Sequence, residues 1–198
     1  MKIPIFLLFI LLIPASLLAV DNVNYKLSIG TIISPTIASK IELEKDNTNL
    51  TLEEYEGKSG GIEFSFAIIL DQMELSYIMQ KYEAEKATAY EIGKIAFDVE
   101  TLEAMYYFAD PMKDSGINLG IGAGKGVVKL TVDKEVNGTK IIEEGVVFAK
   151  EYHLGLGLLY NFNKNNVISL KYYSQTIYTV TGDPFTNSLG ELLYSFQF

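Results

Sequence analysis

The sequence predicts an all-β chain, an eight-stranded antiparallel up-and-down transmembrane β-barrel, and three observations carry that prediction. The final stretch, Leu189 to Phe198, alternates with a period of two, setting Leu192, Tyr194, Phe196 and Phe198 on one face and Glu191, Ser195 and Gln197 on the other. Alternating segments of about ten residues, the length a tilted spanning strand needs, recur along the chain. Hydrophobic residues make up 48% of the chain and mean hydropathy is +0.18, yet after the first twenty residues no apolar run could span as a helix. Strands with one apolar and one polar face suit a wall between lipid and a polar lumen.

The elements follow in order. Met1 and Lys2, the apolar run Ile3 to Leu12, and the break at Pro14, Ala15 and Ser16 read as a secretory signal peptide over 1–19, leaving 20–198 as one barrel domain. The first strand, Asn24 to Ile33, puts Tyr25, Leu27, Ile29 and Ile33 against Lys26, Ser28 and Gly30. Ser34 to Ser59 is polar and charged, which predicts a long exposed loop or a hairpin extended above the membrane. Strand two alternates Ile62, Phe64, Phe66, Ile68 and Leu70 with Glu63, Ser65 and Ala67. After Asp71 and Gln72, strand three alternates Met73, Leu75, Tyr77 and Met79 with Glu74, Ser76 and Gln80.

A polar patch, Glu83 to Lys94, leads to strand four, where Leu102, Ala104, Tyr106 and Phe108 oppose Thr101, Glu103, Met105 and Tyr107. Ile95, Phe97 and Val99 have the other apolar parity, so either a bulge lies near Glu100 or they stand above the bilayer. Asp110 to Ser115 makes a turn, and strand five sets Ile117, Leu119, Ile121 and Ala123 against Asn118, Gly120, Gly122 and Gly124. Thr131 to Gly145 is a third exposed excursion with a tight Asn137-Gly138 tip. Strand six carries Tyr152, Leu154, Leu156, Leu158, Tyr160 and Phe162 outward and His153, Gly155, Gly157 and Asn161 inward. Asn163 to Asn166 turns it into strand seven, with Ile168, Leu170 and Tyr172 against Ser169, Lys171, Tyr173 and Gln175, and Gly182-Asp183-Pro184 marks the last loop. Short turns after strands two, four and six and longer polar connections elsewhere are the asymmetry of periplasmic turns and extracellular loops, and Tyr25, Tyr106, Tyr160 and Tyr178 supply interfacial girdles.

Together the leader, the strand spacing, the Gly-rich stretch Leu119 to Gly124 and the ending Tyr194-Ser195-Phe196-Gln197-Phe198 resemble the small eight-stranded bacterial outer-membrane proteins, among them the OmpA barrel domain, OmpX, OmpW and the opacity-type adhesins. The resemblance implies export and residence in the outer membrane of a Gram-negative bacterium. It also implies recognition by the barrel-assembly machinery through Tyr194, Phe196 and Phe198, and a monomer surrounded by outer-membrane lipid. No peptidoglycan-binding domain follows the last strand, so a wall-tethering role is not carried over.

Composition narrows the function. Cys is absent, removing disulfides, thiolate metal sites and a lipidated Cys anchor. All basic residues are Lys, and loss of Lys2 with the leader takes the net charge from −9 to −10, which disfavours nucleic acid as a partner. The inward set that could carry function is Lys26, Glu63, Glu74, Glu103, His153, Lys171, Gln175 and Glu191, a polar core that either packs closed or lines a pore. Its four Glu outnumber its two Lys, so another Lys such as Lys129 leans in, a Glu takes up a proton, or the surplus marks a cation-preferring passage. Inward glycines would hollow one wall unless Tyr107 and Tyr173 fill it from the opposite side.

His153 is the only His, and Gly155 stands where the outer-membrane deacylases place a Ser two residues after theirs; no nucleophile, base and orienter can be assembled, and no cofactor or metal site is expected. The expected role is non-enzymatic: a scaffold presenting acidic extracellular loops to surface partners, for adhesion or envelope integrity. Two other readings stay open: a narrow OmpW-like pore for small or hydrophobic molecules, and a soluble periplasmic lipocalin-like barrel, which would turn the apolar faces inward around a ligand.

Overall fold

A computed structural model of the chain describes residues 23–33, 35–38, 40–45, 48–112, 116–179 and 183–198. The proposed leader lies outside them. Among the described residues ten strands form: β1 (Val23–Ile32), β2 (Lys40–Lys45), β3 (Thr48–Glu53), β4 (Glu56–Leu70), β5 (Met73–Ala87), β6 (Glu91–Tyr107), β7 (Gly116–Val136), β8 (Thr139–Asn163), β9 (Asn166–Tyr178) and β10 (Phe185–Gln197). Eight of them close an antiparallel barrel in the order β1, β10, β9, β8, β7, β6, β5, β4, while β2 and β3 form a separate hairpin.

The register gives the barrel its tilt. A row of paired residues leaves β10 at Phe196, passes Leu27, Phe66, Tyr77, Leu102, Lys125, Tyr152 and Thr176, and returns to β10 at Thr186, a stagger of ten residues. Such a stagger over eight strands leaves an interior that side chains can fill. The wall is uneven in height. β5 to β8 are long and continue well past the end of β9, and the excursions expected around Glu83 to Lys94 and Thr131 to Gly145 are these strand extensions. Asn137 and Gly138 close the tallest ribbon with φ of 51° and 75°, the left-handed pair that a two-residue hairpin turn needs.

One expectation is narrowed and another corrected. Ile95, Phe97 and Val99 involve no bulge, since β6 pairs without interruption with β5 and β7 from Ile92 to Tyr106. They share the inward parity of Thr101 and Glu103, and the whole parity runs unbroken from an apolar upper interior to a polar middle. The described residues between 35 and 59 form a hairpin and not an exposed loop. This hairpin folds into the mouth, where Ile37, Ile41, Leu43, Leu52 and Tyr55 are buried in a cluster with Ile32, Tyr82, Ile95, Phe97, Val128, Leu130, Ile177, Phe185 and Leu189. Thr36 and Ser188 exchange two backbone hydrogen bonds, and the Ala38 N–H donates to Asn187 Oδ1 at 3.1 Å, which fix the hairpin to β10.

Outside, an apolar band of exposed residues circles the lower barrel, including Leu27, Phe64, Leu75, Leu102, Ile121, Leu156, Leu170 and Phe196. Above it the outward residues of β4 to β6 become charged and pair across strands: Lys81 with Asp98 at 3.0 Å, Lys94 with Glu83 at 2.8 Å, and Lys58 with Glu85. Apolar outside with polar inside is the arrangement of a barrel solvated by lipid. The lipocalin-like alternative requires the reverse for the whole wall.

Candidate functional site

The site is the middle of the lumen, because strand alternation delivers every polar inward residue there. Lys26, Glu63, Glu74, Glu103, His153, Lys171, Gln175 and Glu191 all point inward and are buried. They form two connected chains. In the first, Lys26 pairs with Glu74, which also accepts from Ser76 Oγ at 2.9 Å and Tyr107 OH at 3.2 Å. Lys171 Nζ lies 2.9 Å from Glu103 and 4.0 Å from Glu74. Glu103 Oε2 meets His153 Nε2 at 3.1 Å, and His153 Nδ1 meets Glu151 Oε1 at 2.8 Å. A carboxylate only accepts, so both ring nitrogens donate and His153 is the third cation of the layer.

The second chain runs upward. The Gln80 amide donates to Glu63 Oε2 at 3.3 Å and to Glu191 Oε1, while its carbonyl accepts from Gln175 Nε2 at 3.0 Å. Tyr82 OH donates to Gln175 Oε1 at 2.9 Å and accepts from Asn187 Nδ2 at 3.2 Å, so the network ends at the residue that holds the mouth hairpin. Glu63 and Glu191 adjoin one another, each with one carboxyl oxygen on the Gln80 amide. Among the described residues three cations thus face five buried carboxylates. Lys129 does not relieve the surplus: it points outward and is exposed.

Reading the sequence missed Glu151, which has the parity of His153 two residues on and could have been found from it. Gln80, Tyr82, Thr101 and Asn187 belong to the network as well, and Thr101 Oγ1 donates to Glu151 Oε2 at 2.9 Å. Glycine and aromatic side chains are fitted to each other, although from adjacent strands and not from the opposite wall. Tyr107 pairs with Gly120 and Tyr173 with Gly155, and a Cβ at these glycines would stand 2.6 Å from Tyr107 Cδ1 and 2.7 Å from Tyr173 Cε1. Beneath the charged layer Met105, Tyr107, Leu159 and Val167 form a second apolar cluster. The charged layer is therefore capped at both ends by apolar packing.

Tyr194, Phe196 and Phe198 face outward on the last strand, about half exposed, within the apolar band. Among the described residues no group of three or more His, Cys, Asp or Glu is placed to hold a metal ion. On the upper rim, Glu91 sits 3.3 Å from Lys86 and 3.1 Å from Lys134. Partial burial raises its carboxyl's pKa, but the two ammonium groups outweigh burial and hold it below the usual carboxylate value. Nearby, burial and the Glu91 charge push the Tyr55 phenol up to about 12.

No protein-family model and no curated protein sequence matches the chain. Among solved structures it is similar to the N-terminal β-barrel domain of Pseudomonas aeruginosa OprF, at 17% identity and a TM-score of 0.52, covering 90% of this chain and 98% of that one. It is also similar to neisserial surface protein A, at 12% identity and a TM-score of 0.54, with the same coverage of each chain. At these identities the likeness is one of fold.

Proposed function

From a fold shared with the small eight-stranded outer-membrane barrels, we propose that this chain is a non-enzymatic scaffold of the bacterial outer membrane. It is exported by its leader, handed to the barrel-assembly machinery through Tyr194, Phe196 and Phe198, and acts through what it holds above the membrane, in adhesion or envelope integrity. One observation carries the reading: the lower apolar cluster, the ion-paired layer and the mouth hairpin are stacked one above another inside the barrel, while β5 to β8 raise a tall wall above them. A solute path would have to part all three layers. A plugged body with an elaborate outer face suits presentation rather than passage.

Planar-bilayer recording of the refolded chain tests this, with conductance expected at background. Discrete ion-conducting steps would sink the scaffold reading and restore the pore. A second arm removes 36–57 so that the hairpin is lost; conductance is still expected at background, because the lower two layers remain.

A further inference from the structure

β8 pairs with β9 only as far as Lys150, opposite Tyr178, and from there up to Thr139 no strand among the described residues pairs with it on that side. The fork leaves an open, mostly apolar groove of about 580 Å³ lined by Val127, Phe148, Ala149, Lys150, Tyr178 and Thr179. Phe148 is 67% exposed and Val127 55% exposed, unusual for groups of that size standing in water. Their height explains it. Directly below, the outward residues are Ala123, Ile121 and Leu119 on β7 and Tyr152, Leu154 and Leu156 on β8, so the groove begins where the apolar band ends.

Lysines surround it. Lys125 faces Tyr152, Lys150 faces Val127, and Lys129 faces Phe148 across the β7–β8 ladder, all three exposed. None makes an ion pair among the described residues. Two carboxylates stand near: Asp98 opposite Lys129 and Glu100 opposite Val127 on β6. Asp98 is engaged on its far side by Lys81 at 3.0 Å, and Glu100 accepts from Tyr77 OH at 2.7 Å. A basic patch wrapped around an apolar groove, at the upper edge of the lipid band of an acidic protein, matches an anionic head joined to a hydrocarbon body.

We propose that this fork is a binding site for a phosphate-bearing lipid of the outer leaflet, its phosphate held by Lys125, Lys129 and Lys150 and its uppermost hydrocarbon resting on Val127 and Phe148. The inference rests on the outer-membrane reading above, which supplies the lipid at that depth. The site selects by charge, so a zwitterionic lipid with the same chains binds weakly.

The test is native mass spectrometry of the full chain released from phosphatidylcholine vesicles doped with phosphatidic acid of matched acyl chains. The wild type is expected to retain phosphatidic acid selectively. The triple variant Lys125→Gln, Lys129→Gln, Lys150→Gln loses that retention by about tenfold or more, given the worth of each lysine near a charged lipid surface. Lys164→Gln, in the exposed turn at the other end, retains the lipid as the wild type does. Equal retention of the two lipids, an unaffected triple variant, or displacement by inorganic phosphate as effective as by the lipid overturns the proposal. Heat-modifiable gel mobility establishes insertion for each variant: a wild type that fails to insert overturns the membrane reading and this inference together, whereas insertion without selectivity overturns this inference alone.

Discussion

Strand β6 crosses two differently built regions without changing its geometry. Below Glu100 it points Thr101, Glu103 and Met105 inward and Leu102, Ala104 and Tyr106 outward; above, it points Val99, Phe97 and Ile95 inward and Asp98, Ala96 and Lys94 outward. The backbone parity is constant while the chemistry of each face inverts. On β6 the stretch from Thr101 to Met105 hides its charge, and the stretch from Ile95 to Val99 hides its hydrocarbon as a water-soluble domain does. What differs is the solvent against the outer wall, lipid in one case and water in the other. Burial thus has opposite meanings in the two regions, and the same substitution should have opposite consequences in them.

The largest expected effect tests the charged layer. Glu103→Leu leaves Lys171 and His153 without their shared partner, and breaking a buried pair in this way costs about 3–5 kcal/mol. Urea titration of the vesicle-inserted chain reads it; a loss below about 1 kcal/mol would show that the layer is hydrated and not closed. Next is a matched pair on the outer surface. Leu156→Lys, in the lipid band, is expected to cost about 2–4 kcal/mol. Val146→Lys, on the upper wall, should stay within about 0.5 kcal/mol of wild type by the same titration. Equal costs would erase the boundary drawn here.

A smaller effect separates the hairpin from the wall. Ile41→Asp places an unpartnered carboxylate in the upper apolar cluster and should weaken hairpin docking by about 1–3 kcal/mol, read as faster proteolysis between β2 and β3, with heat-modifiable mobility of the barrel retained. Loss of that mobility would mean that the hairpin is part of the wall's stability. The smallest effect concerns pH. Because the Glu91 carboxyl is held below its ordinary value of 4.5 in the folded state, the stability that it contributes is present above that value and lost as pH falls through the lowered one. The pair sits at the surface, so the change is under about 1 kcal/mol. The amide protection factor at the β5–β6 turn, corrected for the intrinsic pH dependence of exchange, should fall in acid, and should not do so in Glu91→Gln.

Much of this was legible in the residues. Period-two alternation gave the faces of all eight barrel strands, since one face of each lies against a medium unlike the other, and Asn137-Gly138 announced its turn. Alternation is silent on which medium lies outside, so Ile95, Phe97 and Val99 read as a possible irregularity. The hairpin was obscured for a related reason. Ile41, Leu43 and Leu52 alternate with Glu42, Thr51 and Glu53, but the charges between them dominate the local composition, and the apolar face they meet is assembled from strands far along the chain. Glu151 was overlooked although its parity was in plain view. The partnering of His153 by Glu103 depends on β6 and β8 being brought to either side of β7, a proximity that no local pattern encodes.

The seam between β1 and β10 orders the events of assembly. It joins the first strand to the last, Lys26 to Gln197 through Ile32 to Glu191, and it is far shorter than the β7–β8 ladder. Contacts so remote in sequence form late, because the chain between them must first be drawn into place. The hairpin follows β1 yet is fastened to Ser188 and Asn187 on β10, so it can seat only once the seam has closed. The mouth therefore stays open for as long as the cylinder does. The stopper works as a latch on a finished circle, and protection of the hairpin from protease is a clock for the moment of closure.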